Sequence, residues 1–162
     1  MSYVFDNSPL SVLFKNYYRK TFRSLWKHFD DLVADGSIVS TREVLREIED
    51  GAPENLLEWA KANAELFATP TAAEGEFVAK IYNVTHFQQN IEQQKLLKGG
   101  RNADPFVIAR AAVEDRAVVT MEALKPNAAK IPNICKHFDI KCLTLEQFMA
   151  AGSGNSNFAP VR

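Results

Sequence analysis

The strongest constraint on the fold is an alternation of short strand-like runs with longer helical segments along the chain. Apolar and β-branched residues form five predicted strands, at residues 3–5, 38–40, 65–70, 117–120 and 141–144. Between them, apolar residues recur every three or four positions, which is typical of helices with one buried face. This alternation favours a parallel sheet covered by helices, with a ligand site at the carboxyl ends of the strands. The sequence therefore predicts an α/β fold of three layers, α/β/α, around a central parallel sheet of four to five strands.

The same patterns predict how the chain is divided. One or two amphipathic helices are predicted to fill residues 9–35, and residues 71–103 are predicted to form helices with a mobile joint. Residues 1–150 are predicted to form one domain. The tail at 151–162, rich in Gly, Ser and Asn, is predicted to be disordered.

Composition narrows the classes of function. The chain has 162 residues, and 46% of them are hydrophobic, which is enough for one covered core. Because 19 basic and 20 acidic residues leave a net charge of −1, binding to nucleic acid requires a local basic patch. Cys135 and Cys142 match no zinc or redox motif, and we expect ordinary buried thiols in a reducing compartment. With neither a signal peptide nor a membrane-spanning run in evidence, the protein is predicted to be cytoplasmic.

Four acidic residues fall where a parallel sheet gathers its ligands. Asp6 follows the first strand, Glu122 follows the strand at 117–120, and Asp104 opens the helix that leads into that strand. Glu47 lies two turns into the helix after the second strand. In a right-handed parallel sheet such junctions meet at one edge. Carboxylates brought together there repel each other unless a cation lies between them, and hard cations such as Mg²⁺ or Mn²⁺ prefer oxygen ligands. The sequence therefore predicts a hydrolytic metal site.

Each acid also has a structural interpretation. Asp104 stands directly before a proline and suits the N-cap of its helix. Glu47 suits a solvated helix surface, with Glu43 one turn earlier as an unrelieved like charge. Glu122 suits the start of the loop after its strand. Asp6 has no evident local role beyond an Asx turn, because Ser8 is predicted to cap the first helix. The metal site depends on the joint pattern of the four positions rather than on any single one.

Other common catalytic motifs are missing from the sequence. The three histidines have no metal-binding spacing, which argues against zinc hydrolysis. The sequence contains no phosphate-binding loop, no dinucleotide-binding glycine motif and no nucleophile elbow. Phosphoryl chemistry without a phosphate-binding loop remains open.

Basic residues recur every four positions in the first helical region, namely Lys15, Arg19, Arg23 and Lys27. We call these four residues the basic stripe. It is either a solvated helix face opposite the aromatic core or a surface that follows a phosphate backbone. Lys98 and Arg101, beside two glycines and just before Asp104, are a second candidate contact with RNA.

Several segments resemble PIN domains in order and spacing. The similar segments are residues 4–8, 41–48, 102–111 and 118–122, which carry the four acids in turn. Residues 130–142 are similar to a largely uncharacterised PIN-like subgroup close to the VapC type. The resemblance spans nearly the whole of residues 3–150.

The resemblance implies a ribonuclease that requires Mg²⁺ or Mn²⁺. The resemblance implies that the metal ligands and catalytic residues are Asp6, Glu47, Asp104 and Glu122. Ser8 and Thr120 are implied as polar supports. The resemblance further implies the toxin of a type II toxin–antitoxin pair, a homodimer, and a small DNA-binding antitoxin that inhibits it.

The segment 7–9 and the use of Glu rather than Asp at 122 depart from the usual PIN pattern and bear on the geometry of the metal. Two alternative functions remain. One is a non-catalytic PIN-like module that binds RNA or protein, and the other is a PIN-like nuclease that acts on DNA or structured junctions.

Overall fold

Four short parallel strands form the centre of the fold. The computed structural model of the chain describes residues 1–92 and 102–153. In that part of the chain the strands lie in the order β2-β1-β3-β4. Their bounds are β1 (Tyr3–Phe5), β2 (Ile38–Val39), β3 (Ala117–Thr120) and β4 (Cys142–Thr144). All three pairings are parallel, with Val4 beside both Val39 and Val118. The continuous apolar runs in β1 and β3 are buried throughout, as expected for strands that are covered on both faces.

Helices pack on this sheet and join its strands. They are α1 (Asn7–Asn16), α2 (Arg23–Ala34), α3 (Arg42–Gly51), α4 (Glu54–Ala62), α5 (Ala72–Tyr82), α6 (Asp104–Glu114), α7 (Ile131–His137) and α8 (Leu145–Ser153). Residues 89–92 are also helical. The Phe5 ring lies 5.9 Å from the Phe29 ring of α2 and 5.1 Å from the Phe148 ring of α8. Helix α6 packs against β1 and β3. The prediction of a three-layer α/β/α fold is confirmed.

The strand predicted at 65–70 is wrong. A 3-10 helix occupies Ala64–Leu66, and the N–H groups of Leu66 and Phe67 donate to Asn63 and Ala64 within this local turn. The segment still runs beside the end of β2, where the Leu66 carbonyl accepts from the Ser40 N–H at 3.0 Å. Because the N–H groups of Leu66 and Phe67 are used locally, the segment accepts hydrogen bonds from its neighbour without forming a ladder.

The first helical region forms two helices, as the prediction of one or two allowed, but it differs from prediction at its start. Helix α1 begins at Asn7 rather than Pro9, and it ends at Asn16. Residues 17–22 form a turn before α2 begins. The turn is held by Trp26, whose Nε1 donates to the Tyr17 carbonyl at 2.6 Å. At the other end of the chain, α8 continues to Ser153, beyond the predicted domain end at 150, and residues 154–162 of the predicted tail lie outside the described residues.

Candidate functional site

Asp6 lies at the carboxyl end of β1 and is the N-cap of α1. Its Oδ1 accepts from the Asn7 N–H at 2.8 Å, and its Oδ2 accepts from the Thr120 hydroxyl at 3.2 Å. The prediction that Ser8 caps this helix is therefore wrong, and Ser8 is an exposed residue of the first turn. Asp6 is only 2% exposed. One carboxylate oxygen starts the helix, while the other is directed to the end of β3.

Thr120 connects Asp6 to Glu122. The buried Thr120 hydroxyl donates to Asp6 and accepts from the Glu122 N–H at 3.2 Å. The Glu122 side chain then accepts from the N–H of Ile131, the first residue of α7, at 2.8 Å. A carboxylate at this place is stabilised by the helix dipole. Asp6 and Glu122 thus belong to one chain of hydrogen bonds along the carboxyl edge of the sheet.

Asp104 is the first residue of α6, and the capping position is Ala103. The interpretation of Asp104 as an N-cap is therefore wrong. The side chain of Asp104 is 0% exposed, and its Oδ2 accepts from the Asn90 amide at 3.0 Å. Its position at the start of α6 places it at the same edge of the sheet as Asp6, because a helix that connects parallel strands runs back from that edge.

Asn90 is the centre of a polar network that the sequence did not indicate. It is 1% exposed, and its amide donates to both Asp104 and the Ala129 carbonyl at 3.0 Å. Its Oδ1 accepts from the Asn102 amide at 2.8 Å and from the Tyr82 hydroxyl at 3.3 Å. An amide with every strong contact satisfied in the interior has a fixed orientation. Asn90 therefore positions the carboxylate of Asp104. Its only signal in the sequence is a polar stretch that looks like helix surface.

The hydrogen bonds that start from Asp6 and Glu122 and those that start from Asp104 lead to one short stretch of backbone, residues 129–131. Asn90 binds the Ala129 carbonyl together with Asp104, and Glu122 binds the N–H of Ile131 two residues later. A continuous line of contacts therefore runs from Asp6 through Glu122 to Asp104. The structure brings these three predicted residues to one edge.

Glu47 lies on the buried face of α3, with Val44 and Ile48. It is 8% exposed, so the interpretation as a solvated surface acid is wrong. The expected like-charge problem at Glu43 is also absent in the described residues, because Arg42 and Arg46 bind the Glu43 carboxylate at 2.8 and 3.2 Å. Glu47 is thus a buried acid beside a neutralised surface cluster.

A cleft links α3 to the surroundings of Asp104. Its volume is about 430 Å³, and its walls include Glu43 and Arg46 of α3 together with Tyr82, Asn102 and Pro105. Asn102 and Pro105 flank Asp104 in the chain. Solvent in this cleft therefore reaches the residues next to both Glu47 and Asp104.

Arg110 holds this arrangement from the side of the sheet. Its guanidinium donates to the carbonyls of Ser40 and Leu66, and its Nε binds Glu114 at 2.8 Å. These contacts fasten α6 to the junction between β2 and α3. Sequence reasoning missed this residue because its partners are backbone carbonyls far away in the chain.

The donor groups at the edge suit a hard cation. Carboxylate oxygens with neutral amide and hydroxyl neighbours are the ligands that Mg²⁺ and Mn²⁺ prefer. Across residues 1–92 and 102–153, no three His, Cys, Asp or Glu side chains are grouped so that they form a ready-made metal cluster. The roles of the four acids as metal ligands, and of Ser8 and Thr120 as supports, stay predictions.

The basic stripe is not continuous in the structure. Lys15 lies in the last turn of α1, Arg19 lies in the turn that follows, and Arg23 and Lys27 belong to α2. Arg19 pairs with Asp30 at 2.9 Å, and Lys27 pairs with an acid one turn on, also at 2.9 Å. The single helical stripe is therefore a wrong prediction, because the helix breaks within it. The second predicted contact, Lys98 and Arg101, lies outside the described residues.

The model of a family described as a domain of unknown function, DUF4411, matches residues 3–155. The chain belongs to this family. No curated protein matches it. In the described part of this DUF4411 chain, no helix is long and apolar enough to cross a membrane.

The two cysteines of the DUF4411 domain interact with each other, and the charges of nearby acids affect the pKa values of their thiols. Cys135 of α7 is buried, and Cys142 of β4 is partly buried. A hydrogen bond between the two thiols lowers the pKa of Cys142 and raises that of Cys135. The negative charges of Glu122 and Asp6 oppose the decrease in the pKa of Cys142. The field of these two acids therefore extends along β3 and β4.

Tyr82 is expected to make the free energy of unfolding of the DUF4411 domain decrease at alkaline pH. Burial, and next the charge of Asp104, raise the pKa of Tyr82 to about 12 from 10.0. Since the folded chain holds this proton more tightly, the contribution to the free energy of unfolding is complete below pH 10.0 and is lost as the pH rises toward about 12. Denaturant titrations across this range should show a shallower loss in Tyr82→Phe. Tyr18→Phe, which removes an exposed phenol, is the matched control. Identical profiles for wild type and Tyr82→Phe would contradict the assignment.

Proposed function

We propose that this protein hydrolyses RNA phosphodiester bonds with Mg²⁺ or Mn²⁺ held by Asp6, Glu47, Asp104 and Glu122. The observation that carries the proposal is the burial of three carboxylates, Asp6, Glu47 and Asp104, on elements that share one sheet edge. An ionised carboxylate is costly to bury, and several of the same sign are costlier, unless a cation compensates them. Acids with a purely structural role do not need to be buried together at one edge of a sheet.

The protein side of the proposed reaction is a matter of orientation. Thr120 and Asn90 donate hydrogen bonds to Asp6 and Asp104, which fixes the positions of both carboxylates. When bound, Mg²⁺ or Mn²⁺ supplies a Lewis acid that activates water and stabilises charge on phosphate oxygens. We infer that a phosphodiester approaches through the cleft between α3 and α6, whose walls include Arg46 and Pro105, the chain neighbours of Glu47 and Asp104.

The choice of RNA, and of a cellular role, comes from the resemblance to PIN domains. It supports a toxin of a type II toxin–antitoxin pair, a cytoplasmic setting and a small DNA-binding antitoxin as partner. Finding a gene for such an antitoxin beside the gene for this protein would support this role, because a housekeeping nuclease needs no such neighbour.

A non-catalytic module that binds RNA or protein is the second candidate, and one observation favours it. The Glu122 carboxylate binds the first N–H of α7, which is a structural task for one of the four proposed ligands. In that case the remaining acids support the fold and the interaction surface only.

We expect the purified protein, freed from any co-purified inhibitor, to cleave a labelled single-stranded RNA in Mg²⁺ or Mn²⁺. Chelator should stop the cleavage, and renewed metal should restore it. A DNA strand of the same sequence and a hairpin RNA, assayed in parallel, define the substrate. Binding of RNA without cleavage in either metal would contradict the nuclease and leave the binding module. Preferential cleavage of DNA would transfer the chemistry to a different substrate.

A further inference from the structure

The turn between α1 and α2 presents exposed rings to solvent. Tyr18 is 68% exposed and Phe22 is 40% exposed, and they are the only exposed Tyr, Phe or Trp side chains among the described residues. Single exposed apolar residues are ordinary, but two large rings within five positions form a surface that favours a partner. The neighbouring rings of Phe14 and Trp26 are buried. The exposure is therefore specific to the turn.

The turn and the residues that flank it are the most basic part of the first helical region. Residues 15–23 carry Lys15, Arg19, Lys20 and Arg23 and contain no acid, whereas the whole chain has a net charge of −1. All four side chains are exposed. Arg19 pairs with Asp30, so Lys15, Lys20 and Arg23 provide the positive field around the two rings.

The turn is held in one shape. The Tyr18 carbonyl accepts from the N–H groups of Thr21 and Phe22 at 3.1 and 2.9 Å. The Phe22 ring packs 5.0 Å from the Tyr17 ring, and the Arg19 guanidinium lies 4.0 Å above the Trp26 ring. A surface that is ordered before binding loses little entropy when a ligand arrives.

We propose that this turn is a stacking platform for single-stranded nucleic acid. Tyr18 and Phe22 would stack on bases, and Lys15, Lys20 and Arg23 would contact phosphates. The combination of exposed rings with cations is the physical basis of sequence-tolerant binding to single strands. A duplex has its base faces already stacked, so it offers only its phosphates to such a surface. That the strand is the substrate of the candidate site rests on the proposed function; the binding itself does not.

The position of the platform agrees with this use. Helix α1 carries Asp6 as its N-cap and ends directly before the turn. Its 10 residues span about 15 Å. That distance corresponds to about four stacked nucleotides at roughly 3.4 Å each. A strand held by the rings can therefore extend to the acidic edge.

The test is the affinity for a labelled 12-mer RNA, about the length such a site covers, measured by fluorescence anisotropy in chelator with the full chain. Tyr18→Ala/Phe22→Ala is expected to weaken binding by about tenfold or more for each ring. The slope of log affinity against log salt should stay unchanged, because the phosphate contacts remain. Lys20→Ala/Arg23→Ala should instead reduce this slope by about 1.4. Val113→Ala, an exposed apolar truncation on α6, is the matched control, and circular dichroism checks the fold of each variant.

Unchanged affinity of Tyr18→Ala/Phe22→Ala would overturn the platform, as would equal losses for the single strand and its duplex. Tyr18→Phe should bind like wild type, since a ring remains. Chelator separates this test from the nuclease. If Tyr18→Ala/Phe22→Ala loses binding and the wild type does not cleave RNA in either metal, the platform is upheld and the nuclease is refuted. Cleavage by a variant with unaltered binding would do the reverse.

Discussion

Asp6→Asn and Asp104→Asn are each expected to lower the rate of RNA cleavage by about a hundredfold or more. Asn preserves the shape of either side chain. Asp104→Asn keeps an oxygen for the hydrogen bond from Asn90, and Asp6→Asn keeps an oxygen for one of the two hydrogen bonds that Asp6 accepts, from Asn7 and Thr120. Either change removes the negative charge that a divalent cation needs. Loss of a direct ligand should exceed the roughly 10–100-fold effect of removing a group that orients a ligand. Initial rates in Mn²⁺ with matched circular dichroism spectra are the measurement.

Two further variants sharpen this expectation. Asn90→Ala should reduce the rate by about 10–100-fold, because Asp104 loses the amide that positions it. Glu58→Gln removes an exposed acid on α4 and should cleave like wild type. Equal rates for wild type, Asp6→Asn and Asp104→Asn would identify the activity as a contaminating nuclease.

Divalent metal is expected to stabilise the wild type strongly and Asp104→Asn weakly. Metal at a hundred times its dissociation constant adds about 2.7 kcal/mol to the free energy of unfolding. For a domain of this size that raises Tm by about 5–11 °C. In chelator, Asp104→Asn should melt above wild type, because it removes a fully buried carboxylate while keeping the acceptor for Asn90. Thermal unfolding with and without Mn²⁺ provides all four curves.

Glu49→Gln is the control for charge alone, because Glu49 is an exposed acid on the same helix as Glu47. It should gain as much from Mn²⁺ as wild type does. An Asp104 that serves only the packing of α6 predicts another pattern: Asn is neutral or lower-melting, and metal affects neither protein.

The architecture was predictable because its strongest signal is local. The runs at 3–5 and 117–119 are continuously apolar, which is typical of strands covered on both faces, and both form in the structure. The run at 65–70 was predicted as a strand from its apolar residues 66–68, which stand between Glu65 and Pro70, and it is not a strand. The conformation of this segment depends on where the N–H groups of Leu66 and Phe67 donate, and composition does not indicate those partners.

The candidate site was predictable at the level of topology and less so in detail. Strand ends meet at one edge in any parallel sheet, so Asp6, Asp104 and Glu122 were expected there. Asp6 and Ser8 are both good N-caps, and only tertiary contacts choose between them. The basic stripe was overextended because residues 17–22 contain neither Gly nor Pro, so no local signal announces the turn.

Asn90 shows what local patterns miss altogether. Its partners are Tyr82, Asn102, Asp104 and the Ala129 carbonyl, and the last is 39 residues away. A polar residue among other polar residues has no distinctive periodicity. Its burial follows from how α5 and α6 pack, which is a property of the whole fold.

The hydrogen bond between Thr120 and Asp6 joins residues that are 114 positions apart in the chain. Closing so long a loop is entropically costly, and it requires β1 to find β3 across everything between them. During synthesis on the ribosome, the contact that fixes Asp6 is absent until Thr120 has emerged, and Glu122 has no helix end to bind until Ile131 follows. The order of translation therefore delays the assembly of this edge until most of the chain has been made. The site that we propose for RNA cleavage is thus incomplete while the nascent chain lies beside ribosomal and messenger RNA.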